Sequence, residues 1–360
     1  MKIPAKELQA AFDVCSVTPS DPVLESSQFI RISQDVKQLR LALTGALWTE
    51  ATATATEGKG RWTTYVDRRA LKAFLAATKS KEVELFYKDK LTLKGHNRLE
   101  LAAHPHINGY EHWEPKQQFD LSKEIKDIIT VSAKYIPEKP TMLPDVAAIN
   151  FKMGYGILAT DTLYLCGFFG VPIPADCYIP LTLAKFIADS PNGKLAVDSD
   201  GVGLALGHGY AYEPVSARLS KYPLKGCQAQ LDSARKLPAL ATVEAEPLLA
   251  ALKAAVPFLL DKAEVGTVAA QDKVVRLTVP LAKGKFEQAI PLTVRGALPE
   301  VKWVLKKAIP FVEFIAERKN ALLQIAKPPG ALVLRYTEGK KQYVYLSADL
   351  AKDDAHQPTR

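Results

Sequence analysis

No stretch of this sequence approaches the 18 or more consecutive apolar residues that a membrane-spanning helix needs, and its first residues lack the pattern of a secretory leader. A soluble, cytoplasmic protein with no membrane partner is expected. Cysteine is scarce. The four cysteines, at positions 15, 166, 177 and 227, show no Cys-x-x-Cys spacing and are too few to staple a chain of this length, so reduced, partly buried thiols are predicted. The glycine patterns that hold nucleotides are missing too: there is no Gly-x-Gly-x-x-Gly and no Walker lysine loop. Nor is there a Gly-x-Ser-x-Gly elbow or a His-Glu-x-x-His pair. No nucleotide-type cofactor is therefore expected.

What is present suits a folded globular protein, with 48% hydrophobic and 24% charged residues over 360 positions. Lysine and arginine outnumber the acids by 47 to 39, a net charge of +8 that favours polyanionic partners only if the cations share a surface. One unit organises the rest. Residues 61–105 read as a strand (Trp62 to Val66), then a helix capped by Asp67 with Leu71, Phe74 and Leu75 at helical spacing. Three alternating strands follow, marked by Val83-Leu85-Tyr87, Leu91-Leu93 and Leu99-Leu101.

The same order recurs twice. In the second copy Tyr178-Ile179 is extended, Pro180 opens a helix with Leu183, Phe186 and Ile187 on one face, and strands follow from Leu195. In the third, Ile309 precedes a helix opened by Pro310 with Phe311, Phe314 and Ile315 buried, then strands at Leu322, Leu332 and Gln342. Upstream of each copy lies a second helix, led by Leu8, Ile125 and Leu248, which are 117 and 123 residues apart. That period predicts an α+β protein of three repeated domains, 1–118, 119–240 and 241–350, each with two helices on antiparallel sheets, and a polar tail at 351–360. Thr49 to Lys59 reads as an exposed strand followed by a loop.

Cations stand opposite the buried stripes of these helices: Arg69, Lys72 and Lys79 in the first repeat, Lys123, Lys126 and Lys134 in the second, and Lys253 in the third. They are either solvated helix faces or one surface that follows a phosphate backbone, and periodicity does not choose between the two. Four of six histidines, His96, His104, His106 and His112, fall within residues 95–112. His104 and His106 bracket a proline at a spacing that two metal ligands can share, with Glu111 and His112 as further donors, but turn residues around them favour a loop over a metal-dependent hydrolase. Asp198 and Asp200 lack the spaced ligands of a calcium loop and fit a hairpin turn.

Several segments resemble the bacterial-type DNA sliding clamp, the β subunit of the replicative polymerase, over nearly the whole chain. Thr63-Thr64-Tyr65-Val66-Asp67-Arg68-Arg69-Ala70-Leu71 is similar to that family's first strand into helix, and Arg98-Leu99-Glu100-Leu101-Ala102 to the strand that closes the first domain. Ala159-Thr160-Asp161 followed by Leu165 resembles its "ATDGHRL" motif, Lys221-Tyr222-Pro223 its "R-F-P", and Tyr343-Val344-Tyr345-Leu346 its last strand. Thr162 and Leu163 replace the family's Gly and His, Leu224-Lys225 replaces Asp-Tyr, and Ser347-Ala348-Asp349-Leu350 replaces the usual ending. These departures, with the basic charge, mark a divergent member, of the kind that phage or plasmid replication would carry.

The resemblance implies a homodimer closed head to tail into a six-domain ring around duplex DNA, tethering the polymerase to its template as a non-enzyme with no cofactor. Arg69, Lys72, Lys123, Lys126, Lys134 and Lys253 would then meet phosphates without reading sequence. A groove lined by Val146, Thr160, Leu163, Leu165, Leu346 and Ala348 would take short peptide motifs from the polymerase and the clamp loader. Leu163 in place of His makes that groove more apolar. A three-repeat scaffold that binds protein without encircling DNA is the other reading.

Overall fold

A computed structural model describes residues 1–17, 27–45, 47–104, 112–137, 146–190, 193–199, 201–214, 221–259, 265–271, 273–294 and 296–348. His106, Glu111, Asp200 and the polar tail at 351–360 lie outside them. The chain forms two compact units, Met1–Leu121 with Lys185–Val215, and Ser122–Ala184 with Ser216–Arg360. No helix among the described residues is long and apolar enough to cross a membrane.

One order of elements, strand, helix, four strands, helix, three strands, occurs three times. The first run is β1 (Lys2–Pro4), α1 (Ala5–Ser16), β2 (Phe29–Asp35), β3 (Gln38–Leu43), β4 (Trp48–Thr54), β5 (Arg61–Asp67), α2 (Arg68–Ala77), β6 (Glu82–Tyr87), β7 (Lys90–Lys94) and β8 (Arg98–Ala102). The second is β9 (Gln117–Asp120), α3 (Lys123–Ser132), β10 (Ala148–Lys152), β11 (Gly156–Thr160), β12 (Tyr164–Phe169), β13 (Cys177–Pro180), α4 (Leu181–Asp189), β14 (Lys194–Val197), β15 (Gly201–Leu206) and β16 (Gly209–Pro214). After an additional helix, α5 (Leu224–Lys236), come β17 (Ala241–Glu244), α6 (Ala245–Ala255), β18 (Val265–Gln271), β19 (Val274–Leu281), β20 (Gly284–Val294) and β21 (Leu298–Val304). The third run ends with α7 (Leu305–Ala316), β22 (Leu322–Ala326), β23 (Ala331–Glu338) and β24 (Lys341–Ala348).

Sheet topology repeats with the elements. The first unit holds a four-stranded sheet, β1-β6-β7-β8, and an eight-stranded one, β5-β2-β3-β4-β16-β15-β14-β9. The second holds a twelve-stranded sheet, β13-β10-β11-β12-β24-β23-β22-β17-β20-β19-β18-β21. Two lateral joints unite four-stranded sets. At β4·β16, Trp48 pairs with Tyr212 and Ala51 with Gly209; at β12·β24, Leu165 pairs with Leu346 and Phe169 with Gln342. Both joints are antiparallel and use the fourth strand of one set against the last strand of the next run.

The helices form where the sequence alternates at helical spacing, and they bury those stripes. Asp67 caps α2, its carboxylate accepting from the Ala70 amide at 2.7 Å, and Leu71, Phe74 and Leu75 enter a core with Leu8 and Phe12 of α1 and Leu39 and Leu41 of β3. Ser122 caps α3 in the same way through the Ile125 amide. All four cysteines are buried free thiols.

Three expectations are corrected. The threonine-alanine strand is not exposed: Thr49, Ala51 and Ala53 are fully buried, because β4 lies between two strands and the Thr49 hydroxyl donates to the Cys15 carbonyl under α1. Small side chains there let the helix approach closely. The last helix does not open at Pro310 but at Leu305, with the proline inside it. Interior proline normally breaks a helix; here the hydroxyl of Tyr135 sits at the break, donating to the Lys307 carbonyl at 2.8 Å and accepting from the Phe311 amide at 3.2 Å. Helix α5 was not anticipated, although Cys227, Leu231 and Ala234 recur at i, i+4 and i+7 and are its buried residues.

Candidate nucleic-acid and partner surfaces

The predicted cations fall on four short elements. Arg69 and Lys72 lie in the first two turns of α2, both exposed, on the side away from Leu71 and Leu75. In α3, Lys123 and Lys126 are followed one turn later by Thr130, whose hydroxyl donates to the Lys126 carbonyl, and by Lys134 in a 3-10 turn. Their spacing sets them along one stripe. Among the described residues, Arg69, Lys72, Lys123 and Lys134 form no ion pair, which leaves their charge available to an external anion.

Lys253 differs. Its ammonium contacts the Glu313 carboxylate of α7 at 2.6 Å, so that charge is already partnered. Glu313 belongs to a shallow cleft between α3 and α7, lined also by Asp127, Thr130, Lys134, Pro310 and Glu317. Acids from a helix 180 residues downstream therefore border the second repeat's lysine stripe. Sequence periodicity within one helix carries no sign of them.

The six residues predicted to line a partner groove gather about the β12·β24 joint. Leu165 pairs with Leu346 across it, and the Ala348 amide donates to the Leu163 carbonyl at 3.0 Å. Val146, Leu165 and Leu346 share one apolar cluster with Cys227 and Leu231 of α5. Val146, Thr160 and Leu165 are buried, Leu346 and Ala348 half-buried, and Leu163 is 50% exposed.

The turn that carries Leu163 is strained and heavily bonded. Thr162 adopts φ of 80°, a left-handed conformation that is rare for a β-branched residue. Its amide donates to the Thr160 hydroxyl at 3.0 Å, while the Asp161 carboxylate accepts from the Leu163 and Tyr164 amides at 3.2 and 2.9 Å. The other Asp161 oxygen lies 3.7 Å from the Lys307 ammonium, which also stands over the Tyr164 ring.

No protein-family model matches the sequence, and no curated protein matches it. Solved structures do. The DNA polymerase III β subunit of Pseudomonas aeruginosa is 12% identical and superposes with a TM-score of 0.80, over 97% of this chain and 99% of that one. A putative β subunit from Eubacterium rectale (11%, TM-score 0.78, 97% and 99%) and the Thermotoga maritima protein (12%, 0.71, 97% and 98%) agree. A structure described as a sliding clamp, from P. aeruginosa with griselimycin bound, matches at 13% and 0.73 over 97% and 98%. This chain has the sliding-clamp fold. At identities this low the likeness is one of architecture.

Within the clamp fold His104 and His112 take structural places. The His104 backbone bridges to Tyr65 and its ring rests on Phe29 with centroids 4.3 Å apart, whereas His112 turns its Nδ1 to the buried Glu50 carboxylate at 2.8 Å. Among the described residues no three potential ligands converge on a metal. Asp198 accepts from the Gly201 amide in the hairpin between β14 and β15. The contacts that sequence reading missed, Lys307 to Asp161 and Tyr135 to α7, join residues more than 140 positions apart.

Proposed function

We propose that this chain is a DNA sliding clamp: two copies close around duplex DNA and tether a polymerase to it, without catalysis. One observation carries the reading. Two lateral joints, β4·β16 and β12·β24, use equivalent strands of successive runs, and the third equivalent pair is β20 with β8. Among the described residues β8 pairs only with β7, and β20 from Gly284 to Ile290 only with β19. Open edges invite another strand. If each β20 takes the β8 of a second copy, the repeat closes with two chains, and a heterologous contact that closes makes a ring.

The proposed boundaries of the three modules are 1–118, 119–240 and 241–350. Arg69, Lys72, Lys123, Lys126 and Lys134 are the cations proposed to meet phosphate, with Lys253 subordinate because Glu313 holds it. Binding through such contacts ignores base sequence and weakens with salt. Polymerase and clamp-loader segments with aliphatic or aromatic anchors are the proposed occupants of the groove at Leu163, Leu165 and Leu346, and the cytoplasm is the proposed compartment.

Retention on DNA tests the function directly. Protein assembled on nicked circular DNA should stay bound through gel filtration at moderate salt and be lost once the circle is linearised. Equal loss from both forms would remove the encircling reading and leave a scaffold. Replacing Arg69 and Lys72 by glutamate should lower loading on the circle, whereas Lys253→Gln should change it little.

A further inference from the structure

We propose that Tyr135 and Lys307 are positioning residues for the Thr160–Tyr164 turn, holding Leu163 outward for the aliphatic or aromatic side chain of a partner segment. The role assigned to Leu163 rests on the clamp reading above; the positioning itself does not.

Strain supplies the first step. A threonine at φ of 80° persists only where its surroundings over-determine it, and such sites cluster where a side chain must be displayed. Every polar group that the turn directs inward has a partner: Thr160 donates to the Tyr164 carbonyl at 2.7 Å, Asp161 receives two amides, and Leu163 gives its carbonyl to Ala348. Leu163, with Tyr164 buried beside it, is left half in solvent. The bonds are spent on presenting it.

Asp161 is the hinge of that arrangement, since one of its oxygens organises two amides. Its other oxygen faces the Lys307 ammonium at 3.7 Å, and the Asp161 side chain is only 15% exposed, so few positions are open to that carboxylate other than the one the ammonium meets. Where Lys307 can reach depends on the first turn of α7. The next turn is interrupted by Pro310, and the Tyr135 hydroxyl bridges the Lys307 carbonyl and the Phe311 amide at the interruption. Tyr135 is fully buried with its ring 5.5 Å from that of Tyr345, so its hydroxyl has little freedom to leave. A continuous path of direct contacts thus runs from Tyr135 through α7 and Lys307 to Asp161 and the displayed Leu163, all within the second unit.

Amide hydrogen exchange over residues 160–165 of the full chain tests this without any partner. Lys307→Met should raise exchange at Leu163 and Tyr164 roughly tenfold, Tyr135→Phe should do the same from a distance, and Lys307→Arg should restore protection. Combining Tyr135→Phe with Lys307→Met should add little beyond either change, because both act through one path. Asp161→Asn, which keeps the acceptor and removes the charge, should make Lys307→Met silent. Wild-type exchange in both single variants, or additive effects in the double, would overturn the proposal. A fluorescein-labelled peptide with leucine and phenylalanine anchors supplies the second readout. Its affinity should fall roughly tenfold in Lys307→Met and recover in Lys307→Arg. If the wild type ignores the peptide while exchange behaves as described, the partner role of Leu163 fails and the positioning role stands.

Discussion

Glu213 occupies an unfavourable position for an ionised carboxylate. It lies on β16, one side-chain oxygen has no hydrogen-bond partner, and burial pushes its pKa up to about 7. A carboxyl whose pKa is higher folded than unfolded stabilises the fold while protonated. That contribution is complete below the unfolded value, near 4.5, and is lost as pH rises through about 7. Glu213→Gln should therefore raise stability above pH 7, by up to about 3 kcal/mol, and flatten the pH dependence between 5 and 8 in thermal melts. An unchanged melt at pH 8 would mean that the carboxylate is already solvated. Glu124 has the opposite sign: burial opposes its ionisation, but hydrogen bonds from Lys341 and Tyr343 outweigh that and hold its pKa below the ordinary value. Its contribution is present above the unfolded pKa and disappears in acid. Local residue roles such as the Asp67 cap were legible in sequence, because both partners sit within one turn. The pairing of Lys253 with Glu313 was not, because 60 positions separate them and only the fold decides which acid arrives.

At the scale of elements, the joint between runs depends on backbones lying close, and Gly209 shows where. A Cβ at this position would stand 1.9 Å from the Glu50 carbonyl oxygen and 2.6 Å from the Ala51 Cα. Neither is the free end of a flexible side chain, so the strands themselves would have to part. Gly209→Ala should cost at least about 3 kcal/mol and loosen β4 and β16 first, seen as faster amide exchange at Thr49 to Ala51. Gly207→Ala, where a Cβ would meet nothing within 4 Å, serves as the control. The strands and first helices of each run were readable because period 2 and period 3.6 are properties of short windows. Misreadings arose where an element's state is decided from outside it. Pro310 looked like a helix start until Tyr135, 175 positions earlier, supplied the hydroxyl that lets α7 continue through it. The Thr49–Thr54 strand looked solvent-facing because threonine and alanine are neutral about burial, and only α1 packed over its inner face, with β3 and β16 on either side, makes it interior.

For the whole molecule the decisive feature is an edge that is unpaired among the described residues. Along the open half of β20, Phe286 stacks on Phe258, with ring centroids 4.5 Å apart and planes 18° from parallel, and Phe258 remains 40% exposed. An exposed aromatic pair beside unpaired backbone amides is costly in a monomer, since it offers both hydrophobic area and hydrogen bonds to any passing strand. A second copy pairing its β8 along this edge would cover both. Strand addition should thus depend on the rings, and Phe258→Asp places a charge where they would be buried. The variant should sediment as a monomer at concentrations where the wild type is a dimer and should lose retention on circular DNA. Its thermal melt at low concentration should match the wild type, because the altered ring carries little of the monomer core. A Phe258→Asp protein that stays dimeric would move the subunit contact away from β20, and the equivalence of the three joints would then no longer argue for closure.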